Sequence, residues 1–415
     1  MRIAIVGSGI SGLTAAWLLN RRHEIVVFET DDRVGGHSHT IEVQDGAGRH
    51  GVDTGFIVYN RRTYPGFCRL LDQLGVETQP SDMGFSFRDD EENLEYAAPE
   101  PWRVFAQPRN LARPEFWRML RDIRRFYREA PRLLEAADEG LTLAAWLERE
   151  NYSRAFVEHH LYPVTAAIWS SPHAGMGEFQ AAALVRFFRN HGLLALAGRP
   201  RWRTITGGSR RYVEKLTAPF AGAIRTGCPV LQVERAEDGV IVRTATAGPE
   251  RFDHVVLACH ADQALALLAE PTAREREVLA AFPYAPNETV LHSDPGQMPR
   301  RRLAWSSWNY HRRQGSRERI TMTYWQNRLQ RLPTRTPWLV TLNGSEAIDP
   351  ALVHSRLLYH HPQFDARAVS LQPAVADLDG TLRTWYCGAY WGYGFHEDGV
   401  QSGLRVARAF GEELL

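Results

Sequence analysis

The sequence predicts a mixed fold: an α/β part with a parallel sheet built from separated segments, and an α+β part with an antiparallel sheet and helices inserted between them. Three observations predict it. The chain opens on a strand–turn–helix–strand unit, "RIAIVGSGISGLTAAWLLNRRHEIVVFE". Buried-strand patterns of the same kind return in the middle, "FDHVVLACHA", and at the end, "TWYCGAYWGYGFHEDGVQSGLRVARAF". Between them lie tryptophan- and arginine-rich helical patterns and alternating stretches such as "RLAWSSWNYH" and "RITMTYWQN". A length of 415 residues accommodates two or three domains.

The elements follow in order. "RIAIVG" is a short apolar run ending in glycine, read as a buried parallel strand. "SGLTAAWLLNRR" has helical spacing, and "EIVVFE" is a second buried strand. "GVDTGFIVYN" reads as extended, with glycines where backbone must approach something closely. "YPGFCRLLDQLGV" is a helix with a proline start, closed by Gly75. Helical patterns fill the stretch from Pro99 to Thr204. "TITGGSRRYVEKL" is a turn and a helix, and "VLQVERAEDGVIVRTATAG" a hairpin around Asp238-Gly239. Tyr284 to Leu371 alternates as an antiparallel sheet would. Residues 1–98, 205–280 and 375–415 are therefore assigned to a nucleotide-binding domain, and 99–204 and 281–374 to a substrate domain.

Composition narrows the class. The chain is 44% hydrophobic and 23% charged, enough to bury a sizeable core. A net charge of +1 implies no attraction to nucleic acid. Lys215 is the lone lysine among 49 basic residues, so any chemistry needing a lysine has one candidate. Cys68, Cys228, Cys259 and Cys387 have no short pair spacing, which argues against a zinc site or disulfide framework; no metal is expected. The apolar run Ile3–Leu19 is too short to span a bilayer, is broken by glycines, and has no cleavage region after it. A soluble cytoplasmic protein is expected.

Gly7, Gly9 and Gly12 form G-x-G-x-x-G between the first strand and the first helix. Gly7 permits the tight turn, Gly9 lets backbone meet a pyrophosphate, and Gly12 lets helix and strand pack closely. Ser8, Ile10 and Ser11 complete a loop whose helix N-terminus offers N–H groups and a positive dipole end. Glu29 closes the second strand at the offset of about 20 residues where a carboxylate accepts ribose hydroxyls. This is a Rossmann-type dinucleotide site, and Glu29 would serve NAD or FAD alike.

The next stretch, "TDDRVGGHSH", separates the two. Thr30 follows the ribose position. Arg33 offers a fixed fork of donors suited to phosphate. Gly35 and Gly36 let backbone pass beside a long ligand without a Cβ in the way. E-x-x-x-R-x-G-G resembles the FAD signature of the flavin amine oxidase, carotenoid desaturase and protoporphyrinogen oxidase superfamily. A basic residue, usually arginine, follows the glycine pair there; this chain has His37, which could still reach a phosphate or flavin edge by hydrogen bond.

The resemblance implies FAD and further positions. "VDTGFIVYN" is similar to the segment that runs along the flavin, which points to Thr54, Gly55, Phe56 and Ile57. "TITGGSRRYVEKL" resembles a Gly-Gly turn, here Gly207-Gly208-Ser209, and "CPVLQVE" the strand that pairs with adenine through Val230. Ala258 to His260, with Cys259 in the middle, resembles the segment beside the dinucleotide. "YCGAYWGYGFHEDGVQSG" is similar to the closing motif, which implicates Gly388 and the helix N-terminal N–H groups of Asp398, Gly399 and Val400. More narrowly, "DTGFIVYNRRTYPGF", "QPSDMGFSF" and "LAWSSWNYH" resemble a bacterial subfamily of NAD/FAD-binding proteins. Members accompany lipid methyltransferases, and one branch resembles a flavin desaturase of methylated fatty acyl chains on the route to furan fatty acids. The resemblance thus implies dehydrogenation of an apolar substrate by hydride transfer to the flavin. Oxidation of an amine or porphyrin-like heterocycle is one alternative; a flavoprotein partner of a lipid methyltransferase, without turnover of its own, is another.

Candidate substrate residues are the aromatics Trp308, Tyr390 and Trp391, the last two on a glycine-bounded turn. Asn309, Tyr393 and His396 are candidates for polar or catalytic roles. Lys215, in the helix after Gly207-Gly208, is poorly placed for the lysine that amine oxidases hold near the flavin. The arginine–aromatic stretches Trp102–Arg132 and Phe179–Arg211 are amphipathic. They are read either as faces resting on anionic lipid or as solvated faces with snorkelling arginines.

Overall fold

The structure, a computed structural model, describes residues 1–135, 140–169, 173–194, 198–315 and 321–414. Five parallel strands form one sheet, in the order Ile224–Arg225, Glu24–Phe28, Arg2–Val6, His254–Leu257, Thr384–Tyr386. The early, middle and late α/β segments meet here, as the sequence implied. Both faces are covered, which is why the strands read as unbroken apolar runs. Ile3, Ile5, Ile25, Val27 and Val256 pack beneath helices Ile10–Leu19, Pro65–Gln73, Arg210–Thr217 and His396–Ala409. Ala4, Val6, Val26, Phe28, Val255 and Leu257 face the hairpin Val230–Ala236/Gly239–Thr244 and helices Ala261–Leu267 and Ala273–Leu279. The hairpin closes at Ala236 opposite Gly239, so its two-residue turn is Glu237-Asp238, one residue earlier than the Asp238-Gly239 turn expected.

A second, seven-stranded sheet has the order Val353–Pro362, Tyr284–His292, Leu339–Leu342, Thr321–Trp325, Trp308–Arg312, Phe85–Asp89, Leu94–Ala98. It corrects the sequence reading in two ways. It is mixed, because Trp308–Arg312 runs parallel to Phe85–Asp89. It also captures Phe85–Ala98, which the reading had left with the nucleotide part. Phe87 and Tyr96 of that hairpin are buried, and Phe87 stacks on Tyr310 with centroids 5.5 Å apart. At the other boundary, Ala368 and Ala374 pack in the parallel-sheet core, so this short helical segment lies with the nucleotide part and not with the substrate part.

The helical insert stands beside the second sheet. Helix Pro114–Glu129 buries Phe116, Met119, Asp122 and Phe126 along one stripe. The helical run from Arg154 to Trp169 widens into a π turn at Val157–Leu161, a device that re-aims side chains and often marks a working surface. No described helix is long and apolar enough to cross a membrane.

Candidate functional site

A cavity of about 930 Å³ begins at the carboxyl ends of the parallel strands and runs into the interior between the second sheet and the helical insert. Strand ends of an open parallel sheet are where α/β folds bind ligands. The glycine loop shapes this end. A Cβ on Gly7, which has φ +106°, would lie 2.7 Å from the Ala258 carbonyl oxygen, and one on Gly12 would lie 2.1 Å from the Gly7 oxygen. A Cβ on Gly9 would meet nothing within 4 Å, so that glycine faces open space. Gly7, Ser8, Gly9, Ile10 and Ser11 line the cavity; Gly12 is buried beneath it.

Glu29 stands at the end of its strand on the same cavity wall. It accepts hydrogen bonds from the Ser8 backbone N–H at 2.9 Å and the Asp31 N–H at 3.0 Å. The carboxylate is thereby fixed next to the loop. Thr30 and Arg33 also line the cavity, and Arg33 donates to the Gly36 carbonyl at 2.9 Å. The stretch after Gly36 pairs with the segment Thr54–Phe56: Phe56 N–H bonds to the His37 carbonyl and Thr54 N–H to the His39 carbonyl. A Cβ on Gly55 would sit 2.2 Å from the His37 oxygen, so only glycine allows this crossing. Gly36, His37, Thr54, Gly55, Phe56 and Ile57 all reach the cavity.

His37 is packed between Tyr359 and His361, with ring centroids at 4.8 and 5.3 Å. Its Nε2 is buried and has no protein partner. Burial, and then the nearby His361, His260, His396 and Arg33, hold its pKa well below the ordinary value, so the ring is neutral. Tyr359 joins the group by hydrogen bonds to Thr54 at 2.9 Å and His39 at 3.0 Å. His260 stacks on Tyr284 at 4.2 Å across the same cavity. Sequence reasoning missed Tyr359, His361 and Tyr284. The run "YHHP" in strand Val353–Pro362 was visible, but its face depends on pairing with Tyr284–His292.

The last helix closes the site. His396 is buried, lies flat on Phe56, and receives or donates a hydrogen bond with Tyr212 Oη at 2.8 Å. Burial lowers its pKa to about 3. Glu397 accepts from the Gly66 and Phe67 N–H groups, both at 2.9 Å, and so caps helix Pro65–Gln73 across the fold. Asp398, Gly399 and Val400, expected to offer N–H groups to a cofactor ring, are not on the cavity wall. Asp398 accepts from the Phe395 N–H at 2.9 Å, burial raises its pKa to about 6, and Val400 is core. Gly399 and Gly403 instead press against Ile10 and Ser11 of the first helix.

Val230, Cys259 and Gly388 lie on the wall, as do Trp308, Tyr390 and Tyr393. Burial pushes the Cys259 thiol up to about 12, so it is inert as a nucleophile. Two candidates fall elsewhere. Asn309 follows Trp308 on a strand, so it points to the opposite face. There its amide accepts from Ser86 Oγ at 2.7 Å and Ser306 N–H at 2.8 Å, and donates to the carbonyls of Ser306 at 2.6 Å and Thr323 at 3.0 Å. It is a fully used structural amide. Trp391 packs on Phe282 and Tyr390 in the nucleotide-side core and not on the cavity. Lys215 is exposed, donates to the Gly75 carbonyl and does not line the cavity, which removes the amine-oxidase type of lysine.

Deeper in, the wall is apolar: Phe126, Leu161, Val164, Ile168, Phe187 and Phe188. The charged side chains on the described wall are Glu29, Asp31 and Arg33 at the strand ends and Arg199. His160, brought in by the π turn, bonds through Nδ1 to Tyr96 Oη at 3.0 Å and is neutral, its pKa lowered by burial to about 3.

A dinucleotide fits the strand-end part. The Gly9 face is open for a pyrophosphate, Glu29 is set for a ribose, and the buried Nε2 of His37 awaits a partner that the protein does not supply.

Comparison with known proteins agrees. The model of the flavin containing amine oxidoreductases matches residues 10–352. Amine oxidase [flavin-containing] A of Sus scrofa is 25% identical over 254 residues, covering 58% of this chain and 46% of that one. The chain thus spans about half the length of the curated relatives it matches. Two solved structures share the fold. Putrescine oxidase has a TM-score of 0.67 at 16% identity, with 99% of each chain covered. A CLA-producing fatty acid isomerase from P. acnes has 0.69 at 15%, covering 99% of this chain and 98% of that one. Because that model spans most of the sequence, the chain belongs to the flavin containing amine oxidoreductase family, whose cofactor is FAD.

Proposed function

We propose that the protein is an FAD-dependent oxidoreductase that dehydrogenates an apolar substrate, a methyl-branched unsaturated fatty acyl chain of a lipid. FAD, when bound, supplies a two-electron oxidant for a C–H or N–H bond held against its ring. Glu29 and the Gly9 loop would bind the nucleotide, and Arg33 and His37 would lie along the phosphates. The observation that carries the substrate reading is the apolar limb beyond His396. Its described wall holds no carboxylate to pair with an ammonium group, whereas Phe126, Val164, Ile168, Phe187 and Phe188 suit a hydrocarbon. Arg199, already engaged with Tyr127, is the charged group on the described part of that limb, and its sign suits an acidic head group better than a cationic one.

The chain's own residues orient the substrate and exclude water. Tyr393 and Phe395 pack against Phe187, at 5.5 and 5.2 Å between centroids. This aromatic layer joins the cofactor end to the apolar limb.

Amine oxidation is favoured by the family and by relatives named as amine oxidases. The remote lysine and the apolar limb, whose described wall holds no carboxylate, weigh against it. Anaerobic mixing of the yellow holoprotein with membrane lipid extracts and with amines separates the readings. Flavin bleaching by lipids carrying methylated acyl chains is expected. Bleaching by amines alone would sink the acyl reading, and a colourless protein that rejects FAD would sink both. Co-purification with a lipid methyltransferase without bleaching by any substrate would favour a partner role.

A further inference from the structure

Single exposed apolar side chains are ordinary, but a gathered set is not. Four of the nine large apolar side chains exposed among the described residues lie on linked segments: Trp102 at 65%, Leu111 at 55%, Trp117 at 48% and Leu303 at 51%. The links are direct. Trp117 Nε1 donates to the Leu111 carbonyl at 2.9 Å, and its ring meets Phe105 at 5.2 Å. Phe105 follows the turn Pro101–Val104 that presents Trp102. Arg103 of that turn is buried and donates to the Leu303 carbonyl at 3.2 Å, which fixes Leu303 beside it.

The charge around this surface has one dominant sign. Arg109 feels the positive charges of Arg113, Arg301 and Arg300 against the negative charge of Glu95. Arg300 and Arg301 are paired with Asp90 and Glu95. Arg109, Arg113 and Arg118 make no ion pair among the described residues, although Arg113 donates to the Glu92 and Asn93 carbonyls, and Glu92 and Glu115 are exposed acids beside them.

We propose that this surface, centred on Trp102, Leu111 and Trp117 with Arg109 and Arg113 at its edge, rests on an anionic lipid bilayer. Tryptophan and leucine would enter the headgroup boundary while arginines meet lipid phosphates. A soluble protein partner would need a complementary acidic and apolar face, whereas a bilayer offers both chemistries everywhere. The proposal does not depend on the substrate: a lipid-surface enzyme and an amine oxidase could each dock this way. It sharpens the first of the two arginine–aromatic stretches, because Arg125 there is committed to Glu129 and Tyr152 inside the protein and not to a surface.

The test is co-sedimentation of the holoprotein with phosphatidylcholine–phosphatidylglycerol vesicles and with pure phosphatidylcholine vesicles. Binding to the anionic vesicles, weakened by salt, is expected. R109Q and R113Q should each weaken it about fivefold, and W102S/L111S should abolish it. All variants should keep their flavin absorbance and circular dichroism, because none of these side chains touches the cavity. No binding to anionic vesicles at low salt would overturn the proposal, as would binding that these variants leave unchanged. Light scattering provides the other refuting outcome: a dimer that W102S/L111S dissolves would assign the face to a second copy of the chain.

Discussion

The imidazole of His396 lies face to face with the ring of Phe56, centroids 3.6 Å apart and planes 8° from parallel. The contact joins the start of the last helix to the segment that crosses His37, so two distant stretches meet at the cavity. Its chemistry is constrained by burial. With a pKa near 3, His396 is uncharged at neutral pH and too weak a base to take a proton efficiently.

The first prediction follows. H396F keeps the stack and loses the bond to Tyr212, so it should retain flavin and the wild-type pH profile of kcat/KM. H396A should lose flavin retention. Loss of an ionisation from the profile in H396F would instead assign a proton-transfer role to the imidazole.

A second prediction concerns His37, where relatives by resemblance carry arginine. The ring is half-buried, packed against Tyr359 and His361, its Nε2 is shielded from solvent, and the charges that act on it are positive. A guanidinium held at that buried position would have no carboxylate to pair. H37R should destabilise the flavin-free protein by about 3 kcal/mol in urea unfolding. H37Q, which keeps a donor, should be nearly neutral in that assay. An H37R apoprotein as stable as wild type would show that the pocket tolerates the charge.

These two sites show what the sequence could and could not reveal. That the glycine loop, Glu29 and Arg33 share one cavity wall was legible because it follows from local backbone geometry within one strand–turn–helix unit. Resemblance singled out Thr54 to Ile57, but not the crossing of Gly55 with His37. The tyrosine and histidine neighbours of His37 were not, because they arrive on a strand more than half the chain away. Trp391 was misjudged because the tight helical turn Ala389–Trp391 packs its ring on Phe282, and Asn309 for a reason related to the missed tyrosine and histidines. A strand alternates faces, and which face looks inward is set by the partner sheet. Trp308 reaches the cavity and its neighbour cannot. Phe85–Ala98 was misplaced because its hairpin pattern says nothing about which sheet edge it joins. Gly399 was expected to offer its N–H to a ligand; in the structure that N–H bonds to the Phe395 carbonyl at 3.1 Å and the residue presses against the first helix.

The third prediction is acid sensitivity. Burial lowers the pKa values of His160 and His396 to about 3 and of His361 to about 4. In the unfolded chain each would titrate near 6.5. Between those values the unfolded chain binds more protons than the folded one, so stability rises with pH across this window. It is fully present above 6.5 and lost progressively as pH falls towards 3. Each histidine contributes at most about 1.4 kcal/mol per pH unit within the window. The melting temperature of the flavin-free protein should fall from pH 7 to pH 4, and H160Q should make that fall shallower. A melting temperature flat across this range would contradict the burial of these rings.

The last prediction tests the helix contact beneath the nucleotide loop. A Cβ on Gly403 would lie 2.5 Å from the Ser11 carbonyl oxygen and 2.9 Å from Thr14 Cβ. Neither the backbone oxygen nor a Cβ can rotate away, so G403A must push the last helix off the first. Such overpacking costs about 1–3 kcal/mol. The displacement would be transmitted along the helix to His396 at one end of it and along the first helix to Ser11 and Ile10 on the cavity wall. G403A should therefore lose both thermal stability and flavin retention. G248A is the control, because a Cβ there meets nothing within 4 Å. If G403A matched G248A in melting temperature and flavin content, the two helices would not be in the contact described, and the closing motif would have to position the site by another route.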